Sequence, residues 1–234
     1  MTSVSIVASE DRQFPMAPRG RGRLIALYSE VPQSGKSTAA EVLEKQFGCV
    51  PVKFAGPLKA MLRELLSWGG YDSSLVTSML EGHLKEVTIP GAFGLKTPRQ
   101  LMRSLGTEWG RDTVSSDIWL TLWKQKVGTL LGEGYNVVTD DMRFLNEYHA
   151  TQDFPNSVAV KIVRPDAPRM TAAAHVSEGG LDHIPFSLAW VNTTTRENFV
   201  DLVRKNAGLI GLRHISDTET TKIIRKRTTK KKAT

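Results

Sequence analysis

Residues 24–38, LIALYSEVPQSGKST, limit the possible fold more than any other stretch of the chain. The apolar run 24–27 reads as a buried strand. The turn after it carries Ser34-Gly35-Lys36-Ser37-Thr38, and AAEVLEKQF then has helical spacing. Strand, loop and helix in this order make a phosphate-binding loop, in which backbone N–H groups of the loop and the helix N-terminus converge on an anion. In such a loop the lysine reaches the β- and γ-phosphates and the next hydroxyl ligates Mg²⁺. Here those residues are Lys36 and Ser37, with Ser34, Gly35 and Thr38 completing the cradle. The full pattern has glycine five residues before Gly35, where this chain has Glu30. Both flanks are present, and together they point to a nucleoside triphosphate site.

The 234 residues suffice for one large domain, or a domain with a small insertion, and for a substantial core. The apolar and charged fractions are ordinary for a globular chain, and no apolar run reaches the roughly 18 residues of a membrane span. Residues 1–22 lack the basic-then-apolar order of a signal peptide and read as a flexible arm. Cys49 is the one cysteine, which excludes an intrachain disulfide or a multi-cysteine metal site and suits a reducing cytoplasm. The formal charge of +7 belongs to the tail: residues 222–234 hold seven Lys and Arg and no acid, so the rest is near neutral. Residues 216–234 therefore read as a disordered basic tail that binds polyanions weakly, not as part of a basic globular face.

Periodicity predicts strands at 23–29, 50–54, 135–140, 158–163 and 188–191, and helices at 35–47, 57–67, 97–106, 117–131, 143–150 and 195–206. Apolar strands alternating with helices imply a three-layer α/β fold with a mostly parallel sheet over 23–215. Segment 68–96, rich in Gly, Ser and Thr, reads as a mobile connection or partial insertion.

In open α/β sheets ligands sit beyond the carboxyl ends of the strands, so polar residues there are candidates. After the second strand comes FAGPLK, where Pro57 starts a helix and Lys59 faces either a cleft or water. After the third comes TDDMRFLNE. Asp140 and Asp141 could hold Mg²⁺ through water or cap the next helix. Arg143 could bind a phosphate through its planar fork, or pair with Glu147 at the i,i+4 spacing. In TPRQLMRSLGTEWGRD, Arg99 and Arg103 share a helix face, a like-charge crowding that calls for nearby anions or acids; Trp109 suits either a base or a core. Arg164 and Arg169, in a proline-rich loop, suit a lid over about 164–180. His175 has no neighbours at zinc-ligand spacing.

The segments SGKST, FAGPLK, TPRQLMRSLGTEWGRD, VVTDDMRFLNE, VKIVRP, HVSE and WVNTT occur in one order over about 23–205. Together they resemble the deoxynucleoside monophosphate kinases of bacteriophages. The resemblance implies a nucleoside-monophosphate-kinase fold with strand order 2-3-1-4-5, cytoplasmic action and a homodimer. It also implies transfer of the γ-phosphoryl group of ATP, with Mg²⁺, to a deoxynucleoside 5′-monophosphate. Carried over by position, Lys36 and Ser37 serve ATP and the metal, with Asp140 also near the metal and Asn192 and Thr193 near adenine. Lys59, Arg99, Glu108, Trp109, Arg111, Arg143, Ser177 and Glu178 fall on the acceptor side; Arg143, Arg164, Arg169, Asp140 and Asp141 attend the transfer. Glu30 at the usual glycine and Thr193-Thr194 where a glycine is common depart from the family pattern. Two other readings keep the loop: a kinase of another small metabolite such as dephospho-coenzyme A, and a nucleic-acid-binding ATPase that uses the tail.

Overall fold

The computed structural model describes residues 22–166, 181, 184, 186, 188–193 and 195–215. The arm before Gly22, residues 167–180 of the expected lid with Arg169, His175, Ser177 and Glu178, and the tail 216–234 lie outside the described residues. In chain order the elements are β1 (Leu24–Tyr28), α1 (Lys36–Phe47), β2 (Val50–Pro51), α2 (Gly56–Trp68), α3 (Ser73–Leu80), α4 (Pro98–Arg103), a π-helix (Ser104–Val114), α5 (Ile118–Gly132), β3 (Val137–Thr139), α6 (Leu145–Gln152), β4 (Ser157–Val163), β5 (Leu188–Val191) and α7 (Arg196–Leu209). They form two compact units: Phe54–Gln125 is one, and the described residues on either side of it make up the other.

The larger unit is built on a five-stranded sheet in the order β2-β3-β1-β4-β5, the order the resemblance implies. Every pairing is parallel; Ala26 lies opposite Thr139 on one side and Ala159 on the other. Every side chain of β1 is buried, as a central parallel strand requires when both faces are covered. One face, with Ile25, Leu27, Val138, Val158, Val160, Ile162 and Trp190, packs under α1 and α7. Those helices meet it with Ala39, Val42, Leu43 and Phe47, and with Phe199, Val203 and Ala207 at helical spacing. α1 ends at Gly48 in the left-handed region, the usual glycine stop.

The smaller unit has its own core of Leu62, Leu66, Val76, Met79, Leu80 and Ile89. The connection expected at 68–96 thus contains a helix: the Asp72 carboxylate accepts the Ser74 and Leu75 amides at 2.9 and 3.0 Å and starts α3, whose Val76, Met79 and Leu80 are buried. α4 begins with a capping box between Thr97 and Gln100.

Where a helix was expected to end near 106, the chain continues into the π-helix, closed by the Ser115 amide donating to the Gly110 carbonyl at 2.9 Å. The cause lies in two glycines and a tryptophan. The Trp119 ring lies so close that a Cβ on Gly110 would come within 2.5 Å of it, and the indole N–H donates to the Gly106 carbonyl at 2.8 Å. π windings are rare and concentrate at functional sites. This one buries Gly106 and Gly110 and presents Glu108, Trp109 and Arg111 to solvent. Gly110→Ala should therefore cost about 1–3 kcal/mol by overpacking. Gly106→Ala, whose Cβ would meet only Leu58 at 3.5 Å, should cost clearly less; urea denaturation of the two variants checks the contrast.

Candidate active site

The loop between β1 and α1 is shaped by two left-handed residues, Gln33 (φ 55°) and Gly35 (φ 109°), and the Gly35 carbonyl accepts the first helical amide, Ala39, at 2.9 Å. The Ser29 hydroxyl closes the start of the turn on the Val31 amide and carbonyl at 3.3 and 3.2 Å. Two loop carbonyls are tied down from the far ends of other strands. Arg164, just after β4, donates to the Gln33 carbonyl at 2.7 Å, and Asn192, just after β5, donates to the Ser34 carbonyl at 2.9 Å.

Opposite charge is missing at the helix end of this loop. α1 starts without a side-chain cap and without an acid in its first turn, so the positive end of its dipole is not offset locally. The Ser34 hydroxyl is 1% exposed and has no hydrogen-bond partner, an arrangement that costs free energy unless something binds there. Lys36 is half-buried and folds back over the loop, its Nζ 3.4 Å from the Ser29 carbonyl. Ser37 is exposed and Thr38 half-buried, both on the first turn of α1. These features together can hold a polyphosphate: a dipole end, a lysine, hydroxyls and a fixed turn.

At the end of β3 the Asp140 side chain is only 8% exposed, and its carboxylate oxygens lie 3.2 and 3.3 Å from Lys53 Nζ. Lys53, two residues beyond β2, is a site residue whose one sequence signal is a lysine within the otherwise apolar run 50–54. The Asp141 carboxylate accepts the Thr139 hydroxyl at 3.2 Å. Capping of the next helix does not fall to either aspartate. α6 begins at Leu145, and Glu147 reaches back to the amides of Arg143 and Phe144 at 2.7 and 3.1 Å. Arg143 thus meets Glu147 through its backbone N–H, and its side chain lies on the exposed surface. Ser37 and Asp140 are hard oxygen donors. Mg²⁺ held with a nucleotide takes most of its ligands from phosphates and water, so one hydroxyl and one carboxylate fit it.

Thus Ser34, Gly35, Lys36, Ser37 and Thr38 form the loop itself; Asn192 and Arg164 contact it, and Thr193 is exposed beside Asn192. Arg164, expected in a lid, is a loop support in this structure. A groove of about 410 Å³ between α1 and α7 reaches Thr38, and most of its charges are paired: Glu41 with Lys45 and Arg196, and Arg204 with Asp201. The Lys45 hydrogen bond and charge, with Arg196, hold the Glu41 carboxyl below its usual range.

In the smaller unit Lys59 pairs with Glu81 at 2.6 Å, so its ammonium faces an acid. Arg99 pairs with Glu86, the kind of acid its crowding with Arg103 called for. The Glu108 carboxylate accepts the Ser104 hydroxyl at 2.6 Å, one π turn away. Trp109 is 42% exposed and its ring lies 6.2 Å from that of Trp119; the core role goes to the buried Trp119.

No protein-family description matches the chain, and no curated protein matches it. Among solved structures it is similar to a dephospho-CoA kinase from Campylobacter jejuni, 14% identical, with 81% of this chain and 97% of that one covered and a TM-score of 0.49. It is also similar to a sugar kinase from Janibacter, 12% identical, covering 82% and 95% of the two chains with a TM-score of 0.42.

Proposed function

We propose that the chain is an ATP-dependent kinase of deoxynucleoside 5′-monophosphates. The observation that carries the donor half is the loop: a buried, unpartnered Ser34 hydroxyl beside the uncapped N-terminus of α1, with Lys36 folded over the same turn. A triphosphate satisfies all three. Lys36 would neutralise the β- and γ-phosphates, and Ser37 and Asp140 would hold Mg²⁺, which when bound offsets charge on the transferring group. The bond from the γ-phosphorus to its bridging oxygen breaks and a phosphate oxygen of the acceptor forms the new one, giving ADP and a deoxynucleoside diphosphate. Little covalent help is needed, so positioning and charge do most of the work.

The acceptor half rests on the sequence resemblance. An exposed Trp109 beside Glu108 and Arg111 on a π-helix agrees with a base-reading role, and Arg143 is the candidate fork for the acceptor phosphate. Arg143→Ala is expected to raise the apparent KM for the monophosphate and lower kcat, with ATP binding little changed. Arg143→Lys should recover part of this, since charge returns without the bidentate fork. Loss of ATP affinity in both variants would move Arg143 to the donor side.

The acceptor is tested by coupled turnover of ATP with the four deoxynucleoside monophosphates, their ribo forms and dephospho-coenzyme A. Turnover with one or more deoxynucleotides, above the ribo forms, supports the reading. Turnover with dephospho-coenzyme A alone replaces it by the small-metabolite kinase, and DNA-stimulated hydrolysis without an acceptor by the ATPase.

A further inference from the structure

Glu30 stands where the loop pattern has glycine, and it brings a carboxylate into a turn built to receive a polyanion. Its partner is Lys161, in the carboxyl-terminal half of β4. The sheet register explains why this lysine is the one. Lys161 lies opposite Tyr28, the last residue of β1, two positions before Glu30. Its neighbours Val160 and Ile162 are buried, whereas its own side chain keeps 21% exposure and reaches Glu30, itself 44% exposed. Three positions further along, Arg164 holds the Gln33 carbonyl of the same turn at 2.7 Å. Two cations from one strand end therefore fix the loop, one by its side chain and one by its backbone.

We propose that Lys161 is a positioning residue of the phosphate loop, cancelling and tethering the Glu30 carboxylate so that the turn can take a triphosphate. This rests on the nucleotide reading of the loop. The charges explain the need for it. A bare carboxylate within the loop would repel a bound polyphosphate, and a glycine at this position would require no partner. The pair is partly exposed, so water and salt weaken it; its value lies in removing a repulsion from the bound state more than in holding the fold together.

The experiment is a double-mutant cycle on the full chain, with Lys161→Met, Glu30→Gln and both together, reading ATP affinity by calorimetry and folding by thermal denaturation. Lys161→Met should weaken ATP binding about tenfold, since a like charge at a partly solvated distance is worth on the order of one power of ten. Glu30→Gln should bind ATP within about twofold of the parent, and in the Lys161→Met chain it should restore affinity to that level with no matching gain in Tm. Lys161→Arg keeps the charge and should keep the affinity, which covers the case of a poorly folded methionine variant. Undiminished affinity in Lys161→Met, or a loss that Glu30→Gln does not repair, overturns the proposal. A parent chain that binds no ATP overturns the nucleotide reading instead, and this inference with it.

Discussion

Lys36→Ala is expected to slow phosphoryl transfer by roughly 10²–10³-fold, the cost of removing one preorganised contact to a charge that grows in the transition state. The fold should survive. In the structure the Lys36 ammonium lies 3.4 Å from the Ser29 carbonyl, and losing a hydrogen bond of that length costs on the order of 1 kcal/mol at most. Steady-state turnover and thermal melting on the same preparation separate the two effects. A variant that turns over at the parent rate removes Lys36 from the reaction. One that loses activity together with a large fall in Tm makes the lysine structural.

Gly35→Ala should damage both the fold of the larger unit and its phosphate loop. Gly35 has φ 109°, a conformation that L side chains avoid, and a Cβ there would lie 2.8 Å from both the Asn192 amide nitrogen and the Phe199 ring. Phe199, on α7, is buried in the core and has no room to withdraw, while a displaced Asn192 would release the Ser34 carbonyl. Backbone strain and overpacking together should cost about 2–4 kcal/mol. For a chain of this size that lowers Tm by roughly 5–10 °C. ATP binding should fall below detection, because the loop peptides lose the orientation that aims them at phosphate. Differential scanning calorimetry with and without ATP checks both parts: the parent should gain stability from the nucleotide and the variant should not.

The parts of this molecule legible in its sequence were those whose signals are local. The strand, SGKST turn and helix could be read within fifteen residues, and the apolar runs of β1 and β4 announced a parallel sheet. What escaped was set by register or by packing over long distances. Nothing near Lys161 in the chain indicates Glu30; the pair exists because β1 and β4 align Tyr28 with Lys161. Lys53 beside Asp140 arises in the same way, from β2 lying next to β3. Arg164 looked like a free lid residue because its partner, the Gln33 carbonyl, is a backbone atom that no side-chain pattern reveals.

Two elements were missed for reasons of period. In α3, the Ser and Thr residues of SSLVTSML masked Val76, Met79 and Leu80, three and one positions apart on one face. The π-helix repeats too slowly for a search at 3.6 residues per turn; the clue was Gly106 and Gly110 four apart, followed by a tryptophan able to pack on both.

The central claim is that this phosphate loop delivers the γ-phosphoryl group to a nucleotide and not to water. Phosphorus NMR of the full chain with ATP, Mg²⁺ and a deoxynucleoside monophosphate tests this most directly, because it identifies the product as well as the rate. The expected result is a diphosphate β-phosphorus signal from the deoxynucleotide growing in step with ADP. Growth of inorganic phosphate alone, or an unchanged ATP spectrum under every acceptor, would contradict it.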